Sequence, residues 1–145
     1  MHILFRESGV VVRSLVVVLL SLGQGCGRTP ATEEMPGRYM ATPGFAVDRL
    51  DLLSNGTFHQ EVWLRKTGQR YLTNGWWKLN RSSGYVVFGG GFLLVRDGFQ
   101  RPLVVPQLTT GLVIVPAIAR FGRFQIGDLP GTPYFRETGV SAHEK

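Results

Sequence analysis

The stretch Arg49-Leu50-Asp51-Leu52-Leu53-Ser54-Asn55-Gly56-Thr57-Phe58-His59-Gln60-Glu61 decides the fold. Alternating apolar and polar residues run into and out of a turn signal, the pattern of an antiparallel hairpin with one buried face. Turn length sets the register. A two-residue Asn55-Gly56 turn would oppose Leu52 to His59 and Leu50 to Glu61, mixing the faces. A three-residue Ser54-Asn55-Gly56 loop, a type I turn closed by Gly56 in the left-handed conformation, opposes Leu52 to Phe58, Leu50 to Gln60, Asp51 to His59 and Arg49 to Glu61. The second register is expected, because a one-residue slip would carry every side chain across the sheet. It also joins acid to base, and such cross-strand pairs contribute roughly 0.2–1 kcal/mol each.

Outward from this hairpin the same grammar continues. Strands are expected at 37–42, 46–53, 57–65, 70–79, 85–88, 92–96, 112–115 and 122–127, with a short one at 103–105. No stretch of the domain keeps a 3.6-residue apolar period, so the fold class is all-β: a small antiparallel up-and-down barrel, closed or partly open, of about eight short strands. The next hairpin, turning at Thr67-Gly68, opposes Val62 to Thr73 and Phe58 to Trp77 and extends the core face. His59, Trp63, Arg70 and Trp76 fall on the reverse face. Two tryptophans among charges on an outer face point to a partner-binding surface, unless another strand or the C-terminal tail covers them. Residues 102–119 carry no charge, but Pro102, Pro106, Gly111 and Pro116 break them up. They are expected as strands and turns, or as an apolar loop over a barrel mouth, and not as a membrane span.

At the other end of the chain, Arg6 and Arg13 precede an apolar run, Leu15 to Leu22, about half of the roughly 20 residues that a spanning helix requires. Gly23-Gln24-Gly25 provides small residues before a cut, so residues 1–25 are expected to be a signal peptide. Gly25-Cys26 resembles the end of a bacterial lipobox, with Gly23 where that motif usually carries Leu. The resemblance implies lipid attachment at Cys26 and a tether to the membrane surface; an ordinary signal peptidase would leave Cys26 as an unmodified N-terminus. As the single cysteine of the chain it has no disulfide partner, and an exposed thiol is a liability in an oxidising compartment. Residues 26–36, polar and proline-containing, are expected as the lipidated N-terminus and linker, 37–137 as the barrel domain and 138–145 as a flexible tail. The mature part carries 14 Lys+Arg against 9 Asp+Glu, since Arg6, Arg13 and Glu7 leave with the signal. In the cytosol that balance would invite nucleic acid; export argues against it, and the dispersed arginines suit a solvated surface.

Chemistry is sparse. The chain holds no G-x-S-x-G, H-E-x-x-H, Walker A or C-x-x-C motif, and His59 is the only histidine inside the expected domain. No catalytic residue, metal site or cofactor is therefore expected. Asn55-Gly56-Thr57 and Asn80-Arg81-Ser82 read as turns, and Gly89 to Gly91 lacks the helix that a phosphate loop needs.

Gly37-x-Tyr39, Leu50-x-Leu52-x-x-Asn55-Gly56-Thr57-Phe58, Gly75-x-Trp77-x-Leu79, Val86-Val87-Phe88 and a closing Tyr134-Phe135-Arg136 together resemble a loose group of small bacterial envelope lipoproteins with lipocalin-like barrel domains. The resemblance implies a barrel over about 37–137, a location in the cell envelope and no catalytic residues. Two function classes follow. One is a non-catalytic, membrane-tethered binding or inhibitory module whose partner is an envelope protein, an anionic headgroup or a small apolar ligand. The other is a structural or stress-related envelope component with a solid barrel. A ligand carrier needs an apolar cavity of about 300 Å³ or more.

Overall fold

The computed structural model describes residues 27–127 and 133–138; the expected signal peptide, Cys26 and all of the expected tail after Thr138 lie outside the described residues. Ten strands follow in chain order: β1 (Gly37–Ala41), β2 (Ala46–Leu52), β3 (Thr57–Leu64), β4 (Arg70–Asn80), β5 (Tyr85–Gly89), β6 (Phe92–Arg96), β7 (Pro102–Thr109), β8 (Val113–Arg120), β9 (Arg123–Ile126) and β10 (Tyr134–Arg136). Eight of them close an antiparallel barrel in the order β1-β2-β3-β4-β5-β8-β9-β10, with β10 returning to β1. β6 and β7 form a separate two-stranded hairpin inserted between β5 and β8. The up-and-down meander is thus as expected, but its eight strands are not the expected eight. Residues 92–96 leave the wall, and Tyr134–Arg136 supplies the closing strand, pairing Tyr39 with Arg136 and Tyr134 with Ile126.

The β2–β3 register is the expected one, Leu52 with Phe58 and Arg49 with Glu61. The turn closes through Gly56 N–H on Leu53 O at 3.1 Å and Leu53 N–H on Thr57 O at 2.9 Å, with Gly56 at φ +82°, where a side chain would be strained. The β3–β4 register differs from the expected one by two residues: Phe58 faces Gly75 and Val62 faces Tyr71. The connection is longer than the two-residue turn expected at Thr67-Gly68: the ladder ends at Leu64, whose N–H bonds Gln69 O at 2.9 Å, and Arg65 to Gly68 form the loop. An even shift preserves the faces, so Phe58, Val62 and Trp77 still point inward. β8 runs to Arg120, past the expected end at 115, because Ala117 to Arg120 pair with β9 while Pro116 still faces Tyr85 of β5, so the proline does not end the strand.

The two ends of the barrel are closed differently. At the lower end, where the β2–β3, β4–β5 and β8–β9 turns lie, the segment before β1 is docked and does not act as a free linker. Arg28 exchanges backbone hydrogen bonds with Ala119 at 2.9 and 2.8 Å, and Met35, 1% exposed, enters the core below the Tyr39 ring, whose hydroxyl donates to Met35 O at 2.8 Å. Arg136 reaches across to donate to Glu34 O and Pro36 O, both at 2.7 Å. Above this plug Phe58, Phe88 and Phe92 pack as a ring cluster, with centroids 5.1–5.8 Å apart. Phe92 belongs to β6, so the β6–β7 hairpin folds over the upper mouth and lends a side chain to the core.

Candidate functional site

The four residues expected to form a partner face, His59, Trp63, Arg70 and Trp76, all lie on the outer side of β3 and β4, but they do not form one cluster. Trp63 is paired with Arg70, whose guanidinium lies 5.8 Å from the indole centre. His59 faces Asn74, nearer the other end of the ladder, and Trp76 faces Thr57. Thr57 and Trp63 are six residues apart on β3, about 20 Å of strand, so the two tryptophans mark opposite ends. They are 42% and 44% exposed. Trp76 also serves its own neighbourhood, since its ring lies on Gly89, where a Cβ would come within 2.3 Å of it. The charges of this face are largely engaged with one another, in a ladder Arg38–Asp51–Arg49–Glu61–Arg70 with contacts of 2.7, 3.8, 2.5 and 3.5 Å across β1 to β4. His59 borders a shallow groove of about 340 Å³ on this surface with Arg49, Glu61 and Leu72.

A second site was not legible as such. Asp48 on β2 and Gln60 on β3 are each 1% exposed, on the inward phase of strands whose other inward residues are apolar. Buried polar groups of this kind persist only when hydrogen-bonded. Gln60 Nε2 donates to the two Asp48 carboxylate oxygens at 3.1 and 3.2 Å and to Leu93 O at 3.0 Å, while Gln60 Oε1 accepts from Leu93 N–H at 2.8 Å. The Tyr134 hydroxyl donates to Asp48 Oδ2 at 2.5 Å. The network therefore ties the wall (β2, β3), the closing strand (β10) and the roof (β6) at one point. Burial pushes the Asp48 carboxyl up to about 7, with the bonds from Tyr134 and Gln60 opposing it. Burial likewise holds the Tyr134 hydroxyl well above its ordinary range, reinforced by the carboxylate beside it.

Between this network and the hairpin lies a cavity of about 290 Å³. Its walls are apolar, among them Phe88, Phe92, Leu94, Val113, Val115 and Ile126; Asp48 and Tyr134 supply its buried polar side, and Arg96 and Gln100 lie on the hairpin side. Arg96 Nη1 donates to Gln100 O at 2.8 Å and its guanidinium stacks 5.1 Å from the Phe45 ring. An apolar recess with a small convergent polar group is the architecture of a small-molecule site. The signal for it was present in the alternation, which puts Asp48 in phase with Leu50 and Leu52 and Gln60 in phase with Phe58 and Val62; the partner Tyr134 comes from 74 residues beyond Gln60 and only closure brings it in.

Among the described residues no three His, Cys, Asp or Glu side chains converge on a point where a metal could bind. Comparison with family models, with curated proteins and with solved structures found no match for this chain.

Proposed function

We propose that this protein is a non-catalytic binding module of the bacterial cell envelope, exported by residues 1–25, tethered to the membrane through lipidated Cys26, and holding a small apolar ligand in the upper mouth of a lipocalin-like barrel. The observation that carries the reading is the cavity of about 290 Å³ under the β6–β7 hairpin, with apolar walls and the Asp48–Gln60–Tyr134 network at its side. Apolar walls supply affinity without direction, and a single buried polar group orients one end of a ligand. Nothing in the site combines a nucleophile with a base: Asp48 has a tyrosine and an amide for neighbours, which position it and offer no group to activate.

The alternative, a structural or stress-related component with a solid barrel, draws on the rest of the same interior, which Met35, Tyr39, Leu50, Leu52 and Phe58 fill with their own side chains. Native mass spectrometry of protein purified from envelopes distinguishes the two. A bound apolar species is expected on the unmodified protein and absent from Val113→Trp, which fills the cavity. A ligand-free spectrum, together with no uptake of an apolar fluorescent amine by either protein, would favour the solid barrel.

A further inference from the structure

We infer that the lower end of the barrel docks onto an anionic phospholipid bilayer, with Phe121 at the tip of the β8–β9 turn entering the interfacial region and Arg120 and Arg123 holding headgroup phosphates. The inference rests on the tether proposed at Cys26 and adds a second, non-covalent contact to it.

The direction of the chain places the tether at this end. Arg28 bridges Ala119 antiparallel to β8, and β8 runs toward the β8–β9 turn, so the chain read backward from Arg28 leads to that turn. Gly27 is already against Ile118 and Arg120. It is the single residue between Cys26 and the docked Arg28, and one residue extends the chain by no more than about 3.6 Å. A lipid on Cys26 therefore brings the lower end to the membrane surface and leaves the roofed mouth, with its exposed Phe99 and Val104, on the far side.

The turn itself has the chemistry for such a surface. Phe121 is 78% exposed at φ +50°, a large apolar side chain held out on a two-residue turn with the Arg120 guanidinium 5.2 Å from its ring. Arg120 and Arg123 face each other across the turn, and neither is in an ion pair among the described residues. Like charges directly opposite are unfavourable on a strand pair, so an external anion relieves them. Glu34 is the acidic residue that shares a recess with this turn, and it is engaged by Arg28 through two bonds of 2.7 Å. Apolar tips flanked by arginine partition into the headgroup region, where anionic lipid attracts each basic residue.

Photo-crosslinking from a benzoylphenylalanine at position 121, and separately at position 99, tests this in the full chain expressed in cells that process it. Both positions are exposed aromatics, so neither change touches the core. Irradiated protein is digested and searched for phospholipid adducts, and the same sample is assayed for acylation of Cys26. The expected result is a phospholipid adduct at 121 several-fold above that at 99. It should weaken about fivefold for each of Arg120→Gln and Arg123→Gln, the factor corresponding to one basic residue near an anionic surface. An acylated Cys26 with no lipid adduct at 121, or with the adduct at 99 instead, overturns the docking while leaving the tether intact. An unacylated Cys26 refutes the tether reading, and the adduct at 121 then decides the docking by itself. A protein crosslink at 121 in place of lipid overturns it.

Discussion

Asp48 shows how one side chain can couple the interior to pH. Its carboxyl is buried, and burial raises it from 3.8 to about 7 against the hydrogen bonds from Tyr134 and Gln60. The folded protein therefore holds a proton that the unfolded chain releases near 3.8, and between those values the folded state binds more protons. Stability falls as pH rises through that window and levels off above about 7; the gap corresponds to about 4 kcal/mol at most. Asp48→Asn keeps an acceptor for Tyr134 and removes the titration. Its melting temperature should vary less than that of the unmodified protein between about pH 4 and pH 7, and it should be the more stable of the two at the upper limit. An unchanged slope would mean that the carboxyl is ionised throughout. The two adjacent tryptophans make a second comparison at this scale. Trp77, 6% exposed with its indole N–H on Leu53 O at 3.0 Å, should lose roughly 3–5 kcal/mol on replacement by Ala. Trp76→Ala should lose about 1 kcal/mol, through the exposed backbone at Gly89 that its ring covers. Equilibrium denaturation of both variants measures the contrast.

Among the elements, the β6–β7 hairpin is the one whose position depends on side chains alone. Its strands pair with each other and with no barrel strand. What holds it over the mouth is Phe92 in the ring cluster, Leu93 packed on Ala46, Val62 and Leu64, Arg96 against the Phe45 ring, and the two hydrogen bonds between Gln60 and the Leu93 backbone. Gln60→Leu keeps the volume and deletes both bonds, leaving a buried N–H and C=O at Leu93 and weakening the support of Asp48. Each stranded group costs about 1–3 kcal/mol. The loss should appear first as faster amide exchange in β6 and β7, ahead of β2 to β4, since the roof can open without breaking the wall. Uniformly faster exchange across the barrel would show that roof and wall unfold as one unit.

At the scale of the whole molecule, closure of the barrel and the plug beneath it are a single construction. Met35, the Arg136 guanidinium and the three-residue strand β10 all belong to segments that meet only because β10 returns to β1. The Met35 side chain, 1% exposed below Tyr39, is expected to carry about 2–5 kcal/mol on truncation to Ala, far more than a linker residue could. Thermal unfolding of Met35→Ala gives the answer directly; a change within about 0.5 kcal/mol would mean that the segment before β1 is dispensable.

The sequence by itself determined the local grammar of this protein. Period-two alternation in Arg49–Leu52 and Phe58–Glu61, with Gly56 supplying the left-handed turn residue, sufficed for the hairpin, its register and the separation of Phe58 and Trp77 from His59, Trp63, Arg70 and Trp76, because these depend on neighbours in the chain and on a short turn. Only the tertiary structure decided which strands close the barrel. Phe92–Arg96 and Tyr134–Arg136 are both short apolar runs, and their fates differ because the short β10 fits the gap between β9 and β1 while β6 finds its partner in β7. Composition made 28–36 a linker, yet the buried face it meets is built by β8 and β10, far along the chain. The same holds for the cavity: Asp48, Gln60, Leu93 and Tyr134 are separated by up to 86 residues, and a hydrogen-bond network among partners that distant is set by closure and has no periodicity to announce it.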